Sequence, residues 1–386
     1  MSNIYDLLVI GGGISSCTFI SDIFRKGFNG RVALLEAGRG LGGRSSTRYS
    51  SLKKEWVLNH GCPNFNIVNE TKILKLDLFI EKLLDKNIIK NDNSLILELD
   101  NNYKFSKFIS NDFYKGYVYS SVNSMSEFVS NILNLHNNKN KIDLIFNTLV
   151  NKLTFIDDKW IISTLDKRNY KAKFLVISSN LLLHNRSKNI LNVNEVPLRK
   201  SIPIGLNNQI DEIINQVENQ KFIKRINYLI KTKDDYKFKN SSDIKDIHIL
   251  FNKKTQMDIG FERIIFQKQK NNKIGIVIHT RNFTFKRNDK EVENKSCLYE
   301  ILLSRFNEIF INNEFINQIF DYEDISCMKW RSSQPLGKEL PPELQLCKEF
   351  KIGFCGDWIS CNSFGKVEGA ILSGLNLSEK FENVLL

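Results

Sequence analysis

The run from Asp6 to Ser16 constrains this chain more than any other part of it. Asp6 to Ile10 is a short apolar stretch that predicts a buried strand, and it runs straight into Gly11, Gly12 and Gly13. A helical apolar pattern extends from Ile14 to about Lys26, and Gly27 stands where such a helix would stop. Val32 to Leu35 predicts a second strand, which ends on Glu36. Strand, glycine turn, helix, strand and acid in this order predict a βαβ unit that holds a dinucleotide. Gly11 permits the tight turn, and Gly13 lets the backbone approach a diphosphate. The amides that open the helix, at Ile14 and Ser15, then face its charge. Ser16 takes the place of a third glycine and is small enough for the helix to pack closely on the strand. Glu36 lies about 20 residues on, where a carboxylate accepts both ribose hydroxyls and disfavours a 2′-phosphate. Ala37 follows it and completes this part of the candidate cofactor-binding set.

A second glycine signature comes directly after the unit: Arg39, Gly40, Leu41, Gly42, Gly43, Arg44. A third is split between Ile352 to Asp357 and Gly365 to Gly374. With these three in place, the chain resembles the flavin amine oxidase superfamily, and within it the renalase-like FAD-dependent oxidoreductases. The resemblance implies that Arg44 contacts the FAD diphosphate while Gly42 and Gly43 keep the turn narrow, which suits an arginine fork. It implies that Gly356 and Asp357 meet the flavin ribitol. A helix opening at Val367, Glu368 and Gly369 would then aim its N-terminus at the pyrimidine end of the ring. Gly369, Ala370, Ser373 and Gly374 share one helical face and leave a smooth strip for close packing.

Looser matches lie between these motifs. Leu58 to Phe65 takes the place of the family segment that runs along the flavin, so His60 and Gly61 become cofactor-side candidates, with Asn59 and Cys62 departing from the usual residues. Gly116 to Ser126 resembles a helix entry of the family, and Ser124 with Glu127 forms a capping box. Ile276 to His279 resembles the strand that carries a histidine to the substrate cavity, and Lys329 to Pro335 resembles an Arg-Trp-Arg-Tyr-Ala-x-Pro segment with Ser332 and Ser333 as departures. Val150 is the candidate beside the adenine. Substrate-side candidates are His60, His279, Trp330 and Arg331, of which His279 is the favoured polar contact.

A chain of 386 residues can bury a large core, and two domains are expected. The fold class is α/β: a Rossmann-like FAD-binding domain with a second α+β substrate domain on an antiparallel sheet, as in amine oxidases and p-hydroxybenzoate hydroxylase. The FAD-binding domain is assigned to 1–66, 115–180 and 325–386, and the substrate domain to 67–114 and 181–324. The middle of the first domain, from Ile142 to Ile177, is spaced like a β-meander. Ile73 to Asn87 predicts an amphipathic helix with Leu76, Phe79, Ile80, Leu83 and Leu84 inward. Ile249, Ile264 and Ile274 to Thr280 mark successive antiparallel strands, and Asn137 to Lys141 and Lys237 to Asp243 read as surface loops.

The net charge of +12 is spread along the chain without a nucleic-acid motif, so nucleic acid is not an expected partner, although positive potential could draw in an anionic substrate. Seven cysteines without a C-x-x-C pair and five scattered histidines predict neither a disulfide framework nor a metal site. No stretch has the length of a membrane span or the pattern of a signal peptide, which predicts a cytoplasmic protein. Nothing in the sequence indicates an oligomeric state.

Three functions stay open. The first is a renalase-like oxidase taking hydride from a small reduced substrate, such as an isomeric dihydronicotinamide dinucleotide or an amine, and passing electrons to oxygen. The second is a carotenoid- or porphyrin-type oxidase, desaturase or isomerase. The third is a flavin-binding regulatory protein without turnover.

Overall fold

A computed structural model of the chain describes residues 4–49, 56–100, 102, 104–108, 114–136, 138–233, 246–269, 273–280, 304 and 322–385. The predicted loop Lys237 to Asp243 lies outside them. The opening unit forms as the pattern requires: strand Ile4–Ile10, helix Ile14–Arg25 and strand Val32–Leu35. Ile4–Ile10 pairs in parallel with Val32–Leu35 on one side and with Asn169–Ile177 on the other. Alternation sorts the side chains. Leu7, Val9, Val32 and Leu34 enter one core, and Leu8, Ile10, Ala33 and Leu35 enter a second on the opposite face. Burial on both faces explains why these strands are apolar throughout.

One strand of the expected meander behaves differently from the rest. Ile142–Ile145 pairs in parallel with Val32–Leu35 and is therefore the third parallel strand of the nucleotide-binding sheet. The antiparallel meander is Val150–Ile156, Lys159–Thr164 and Asn169–Ile177. Ile352–Phe354 then adds in parallel beside Asn169–Ile177. The sequence spacing suggested a meander throughout, but residues 145–148 turn back against the second strand: Glu36 N donates to Ile145 O at 2.9 Å and Thr148 N to Glu36 O at 2.9 Å.

Among the described residues a second sheet contains seven strands, including Leu95–Leu99, Lys221–Thr232, Asp246–Phe251, Phe261–Lys268, Ile274–Thr280 and Tyr322–Leu336. The three strands expected from the isoleucine-rich segments are antiparallel neighbours in it. Several segments near the expected domain seams pack against the first sheet or the second. Helix Leu74–Asp85, in the segment assigned to the substrate domain, buries Leu76, Phe79, Ile80 and Leu83 in the first core, beside the parallel sheet. Residues 181–217 likewise bury Leu182, Leu183, Leu198, Ile210 and Ile214 in the second core. Their amphipathic patterns marked a buried face but not which sheet it would cover. Tyr322–Leu336, mostly assigned to the first domain, is an edge of the second sheet.

The final helix, Val367–Leu385, lies against the first. A Cβ on Gly374 would sit 2.5 Å from Ser15 O and 3.0 Å from Phe19 N, so the two backbones touch only because that side chain is absent. Ser15 and Ser373 hydroxyls meet there at 2.7 Å, fully buried, and Gly356 N donates to Ser373 Oγ at 2.9 Å. Among the described residues no helix is long and apolar enough to cross a membrane.

Candidate functional site: a glycine-lined cradle beneath a basic sheet face

Three loops converge at the open end of the parallel sheet. The first is the glycine turn. Gly13 begins the first helix with no side-chain cap, and a Cβ there would meet nothing within 4 Å. Ser15 and Ser16 turn their hydroxyls away, to Ser373 and to Gly13 O, so the first-turn amides of the helix have no side-chain acceptor. Glu36 sits beside this turn: its Oε2 accepts from Gly12 N at 2.7 Å and its Oε1 from Gly38 N at 2.6 Å. Each oxygen keeps a second lone pair, and the carboxylate is only half-buried, so it can still receive ribose hydroxyls. Ala37 is exposed next to it.

The second loop is Arg39 to Ser45. Gly42 N donates to Gly12 O at 2.9 Å, and the Cβ position of Gly43 lies 3.4 Å from Gly13 Cα, which brings both glycine signatures together. Arg44 reaches the third loop, where its guanidinium pairs with Asp357. Its Nη1 is buried without a partner. Gly356 has φ +153°, and a Cβ there would collide with the Trp358 indole, which in turn donates to Ser178 O at 3.1 Å. The two residues assigned to diphosphate and ribitol are thus adjacent and directly linked.

Other candidates fall differently. Val150 is buried at the start of its strand, two residues from Thr148, which bonds to Glu36. Val367 opens the final helix, half-buried against the first core. Glu368 does not face the cradle with its carboxylate, which accepts from Val68 N at 3.0 Å and Asn69 N at 2.9 Å. Gly369 is required by packing, since its Cβ would collide with Ser363 O and lie 2.9 Å from Cys361 Sγ.

The segment Trp56 to Cys62 runs between cradle and second sheet, stitched to both. Cys62 N donates to Arg44 O at 3.1 Å, and Gly61 presses on that carbonyl so closely that a Cβ would collide with it. On the other side, Gln267 bonds to both N and O of Asn59 at 2.9 Å, and Gln269 accepts from Val57 N at 2.7 Å. Asn227 donates to His60 O. Asn59 is explained by its amide oxygen, which accepts from Thr47 Oγ1 at 2.7 Å and from Met125 N at 3.1 Å. Leu58 packs under Leu229, Ile265 and Val277.

Above this segment the sheet presents a polar row. Arg263, His279 and Asn227 are register partners on three adjacent strands, so they share one face. Arg263 Nε donates to His279 Nδ1 at 2.8 Å. His60 lies beneath, its ring 5.4 Å from that of Trp330 and tilted by 30°. His60, His279 and Trp330 each leave one buried ring nitrogen without a partner: Nδ1, Nε2 and Nε1. Asn227 Oδ1 in the same row is a fourth unpaired atom, and because buried polar atoms are nearly always paired, these four mark where a ligand completes the structure. Burial and the Arg48 charge push the His60 imidazole down to about 4. Burial, then Arg263, Arg225 and His60, hold His279 well below the usual histidine range. Both rings are neutral at pH 7.

Arg331 does not join this group. It is exposed where the pairing of Tyr322–Leu336 becomes irregular, between Trp330 and Gln334. Three arginines that the motifs did not flag lie inside instead. Arg186 bonds to Ser332 and, at 2.6 Å, to Asn180 Oδ1, with its guanidinium 4.5 Å above the Phe222 ring. Arg225 pairs with Glu262 at 2.6 Å and donates to Ser333 Oγ at 2.9 Å. The departures Ser332 and Ser333 therefore serve as arginine acceptors. Arg263 is the third. The alternation Arg263, Ile265, Gln267, Gln269 within an apolar strand was the available signal, a polar stripe facing inward.

Residues 9–76 match the NAD(P)-binding Rossmann-like domain family. No curated protein matches the chain in sequence. Among solved structures, the chain is similar to a protein from Exiguobacterium sp. 255-15 provisionally assigned as a protoporphyrinogen oxidase, with 10% identity and a TM-score of 0.62 over 98% of either chain. It is also similar to the tetracycline destructase Tet(51), with 14% identity and a TM-score of 0.54 over 99% of this chain and 83% of that one. Likeness at such identity defines the fold: a Rossmann-like nucleotide-binding domain joined to a second domain built on a multi-stranded sheet.

Proposed function

We propose that this chain is an FAD-dependent oxidoreductase of the renalase-like kind, acting on a small reduced substrate held between the nucleotide cradle and the polar row. The observation that carries this reading is the set of buried nitrogens left unpaired at one junction: Arg44 Nη1 in the cradle, and His60, His279 and Trp330 above it. FAD suits the cradle, since Glu36 stands where a ribose needs acceptors, and the bare helix start and Arg44 stand where a diphosphate needs donors. When bound, FAD supplies a two-electron acceptor.

The protein's own groups then have three tasks. Glu36, Gly13, Arg44 and Asp357 hold the dinucleotide. His60, Gly61 and Trp330 form the wall between cradle and sheet and orient what lies there. The apolar patch of Leu58, Leu229, Ile265 and Val277 keeps water from one side of that junction. No strong base is required for a dihydropyridine donor, which fits a site whose histidines are neutral. Anaerobic titration of the yellow protein with isomeric dihydronicotinamide dinucleotides tests the reading. Bleaching of the flavin band within seconds is expected, and an unchanged spectrum with every isomer would overturn it.

A further inference from the structure

The polar row fixes more than the presence of a substrate. Arginine has only donors, so the 2.8 Å bond from Arg263 Nε occupies the bare lone pair of His279 Nδ1. The ring proton must then sit on Nε2, which meets no acceptor at hydrogen-bond geometry, the His60 backbone beside the ring being only an outlying contact. The same guanidinium also lies beside the Tyr114 hydroxyl, which meets His248 Nδ1 at 2.7 Å. The His279 ring proton therefore points away from Arg263.

The groups facing His279 from each neighbouring element are Arg263, Arg225 with its partner Glu262, Asn227, and His60 from below. Glu262 is the acid among these, and Arg225 already engages it. Asp92 lies behind, near Tyr114 and His248, where it accepts from Asn64 at 2.8 Å and Ser94 at 3.0 Å. Protonating His279 would place a third cation beside two arginines in a dry site.

We infer that Arg263 is a positioning residue that locks His279 as a neutral Nε2–H donor, so that the site receives a hydrogen-bond acceptor of the substrate, a carbonyl or carboxylate oxygen, and rejects a cationic amine. This inference rests on the oxidoreductase reading for the identity of the cavity, while the tautomer itself stands on the arginine–histidine bond alone. It narrows the substrate to neutral or anionic molecules that carry an acceptor. A carboxamide-bearing dihydropyridine satisfies it and a simple protonated amine does not.

The test is nitrogen-15 NMR of histidine-labelled protein, with the His279 resonances assigned by their loss in His279→Asn. The expected result is a bare Nδ1 and a protonated Nε2 with no titration between pH 5 and 8. Arg263→Lys should keep that tautomer, whereas Arg263→Met should give mixed tautomers or a ring that titrates in this range. Benzoate and benzylamine serve as probes on the same sample. Benzoate should shift the His279 Nε2–H signal and bind at least tenfold tighter than benzylamine. An Nδ1–H tautomer, a charged ring at pH 7, or equal affinity for the two probes would overturn the inference. Because the tautomer is read without turnover, a protein that holds no flavin would refute the functional reading and leave the His279 result standing.

Discussion

Lowering the pH should destabilise this protein through its buried histidines before any carboxylate matters. His60 has its pKa pushed from 6.5 to about 4, chiefly by burial. His279 and His248 shift the same way, for the same first cause. In the unfolded chain each ring protonates near pH 6.5, while in the folded protein it stays neutral until the pH falls much further. The unfolded state therefore binds more protons throughout that window. Stability is whole above pH 6.5 and is lost progressively as the pH falls toward the folded values. Between pH 7.5 and 5 the His60 share is about 2 kcal/mol, from the difference in proton binding at the two pKa values. The other two rings add to that loss. A domain is stable by only about 5–15 kcal/mol, so the effect is large. Asp6 and Asp211, held down by Lys173 and Arg199, lose their stabilising pairs only below this window. Urea unfolding followed by circular dichroism at pH 7.5, 6 and 5, on protein freed of bound nucleotide, measures the loss. His60→Gln should flatten the profile by about 2 kcal/mol. A wild-type stability that changes by less than about 0.5 kcal/mol over this range would refute the burial and charge assignments.

Two further substitutions probe the frame that holds the site. Gly374→Val would push a side chain into Ser15 and Thr18 of the first helix, and should cost about 1–3 kcal/mol in thermal unfolding, as overpacking does. Gly374→Ala already adds the clashing Cβ and should be destabilising too, and an alanine variant as stable as the wild type would argue against a steric cause. Arg186→Ala removes bonds to Asn180 and Ser332 and a stacked guanidinium over Phe222, which together join residues 180–186 to two strands of the second sheet. A loss of about 2 kcal/mol in the same assay is expected. Full retention of stability would mean that this buried arginine is not a structural clip.

Much of the nucleotide cradle was legible because its demands are local. A strand ending in glycines, a helix with small residues at its start, and an acid one strand later all lie within 31 residues, from Asp6 to Glu36. The C-terminal Gly356 and Asp357 were readable only against that beginning, since nothing local says that Asp357 will meet Arg44. The basic sheet face was largely illegible. Arg263 and Arg225 occur in strands where a charged residue ordinarily faces water, and cross-strand register turns them inward, while Arg186 opens a short helix and is drawn in by Asn180 and Ser332. Arg331 shows the converse. Its motif neighbours placed it at the site, but the irregular pairing after Trp330 leaves it exposed. Glu368 sits at the right helix start and spends its carboxylate on two backbone amides instead. Helix Leu74–Asp85 and residues 181–217 show the same limit: amphipathic helices record that one face is buried, not which sheet buries it.

The most direct test of the central claim is calorimetric titration of the nucleotide-free protein with FAD and, separately, with FMN. A cradle built from Glu36, the Gly13 helix start and Arg44 needs both halves of the dinucleotide. FAD should bind at least 100-fold tighter than FMN, a difference of about 2.7 kcal/mol, and Glu36→Ala should erase most of that gap. Equal affinity for the two flavins, or no binding of either, would contradict the assignment of this site.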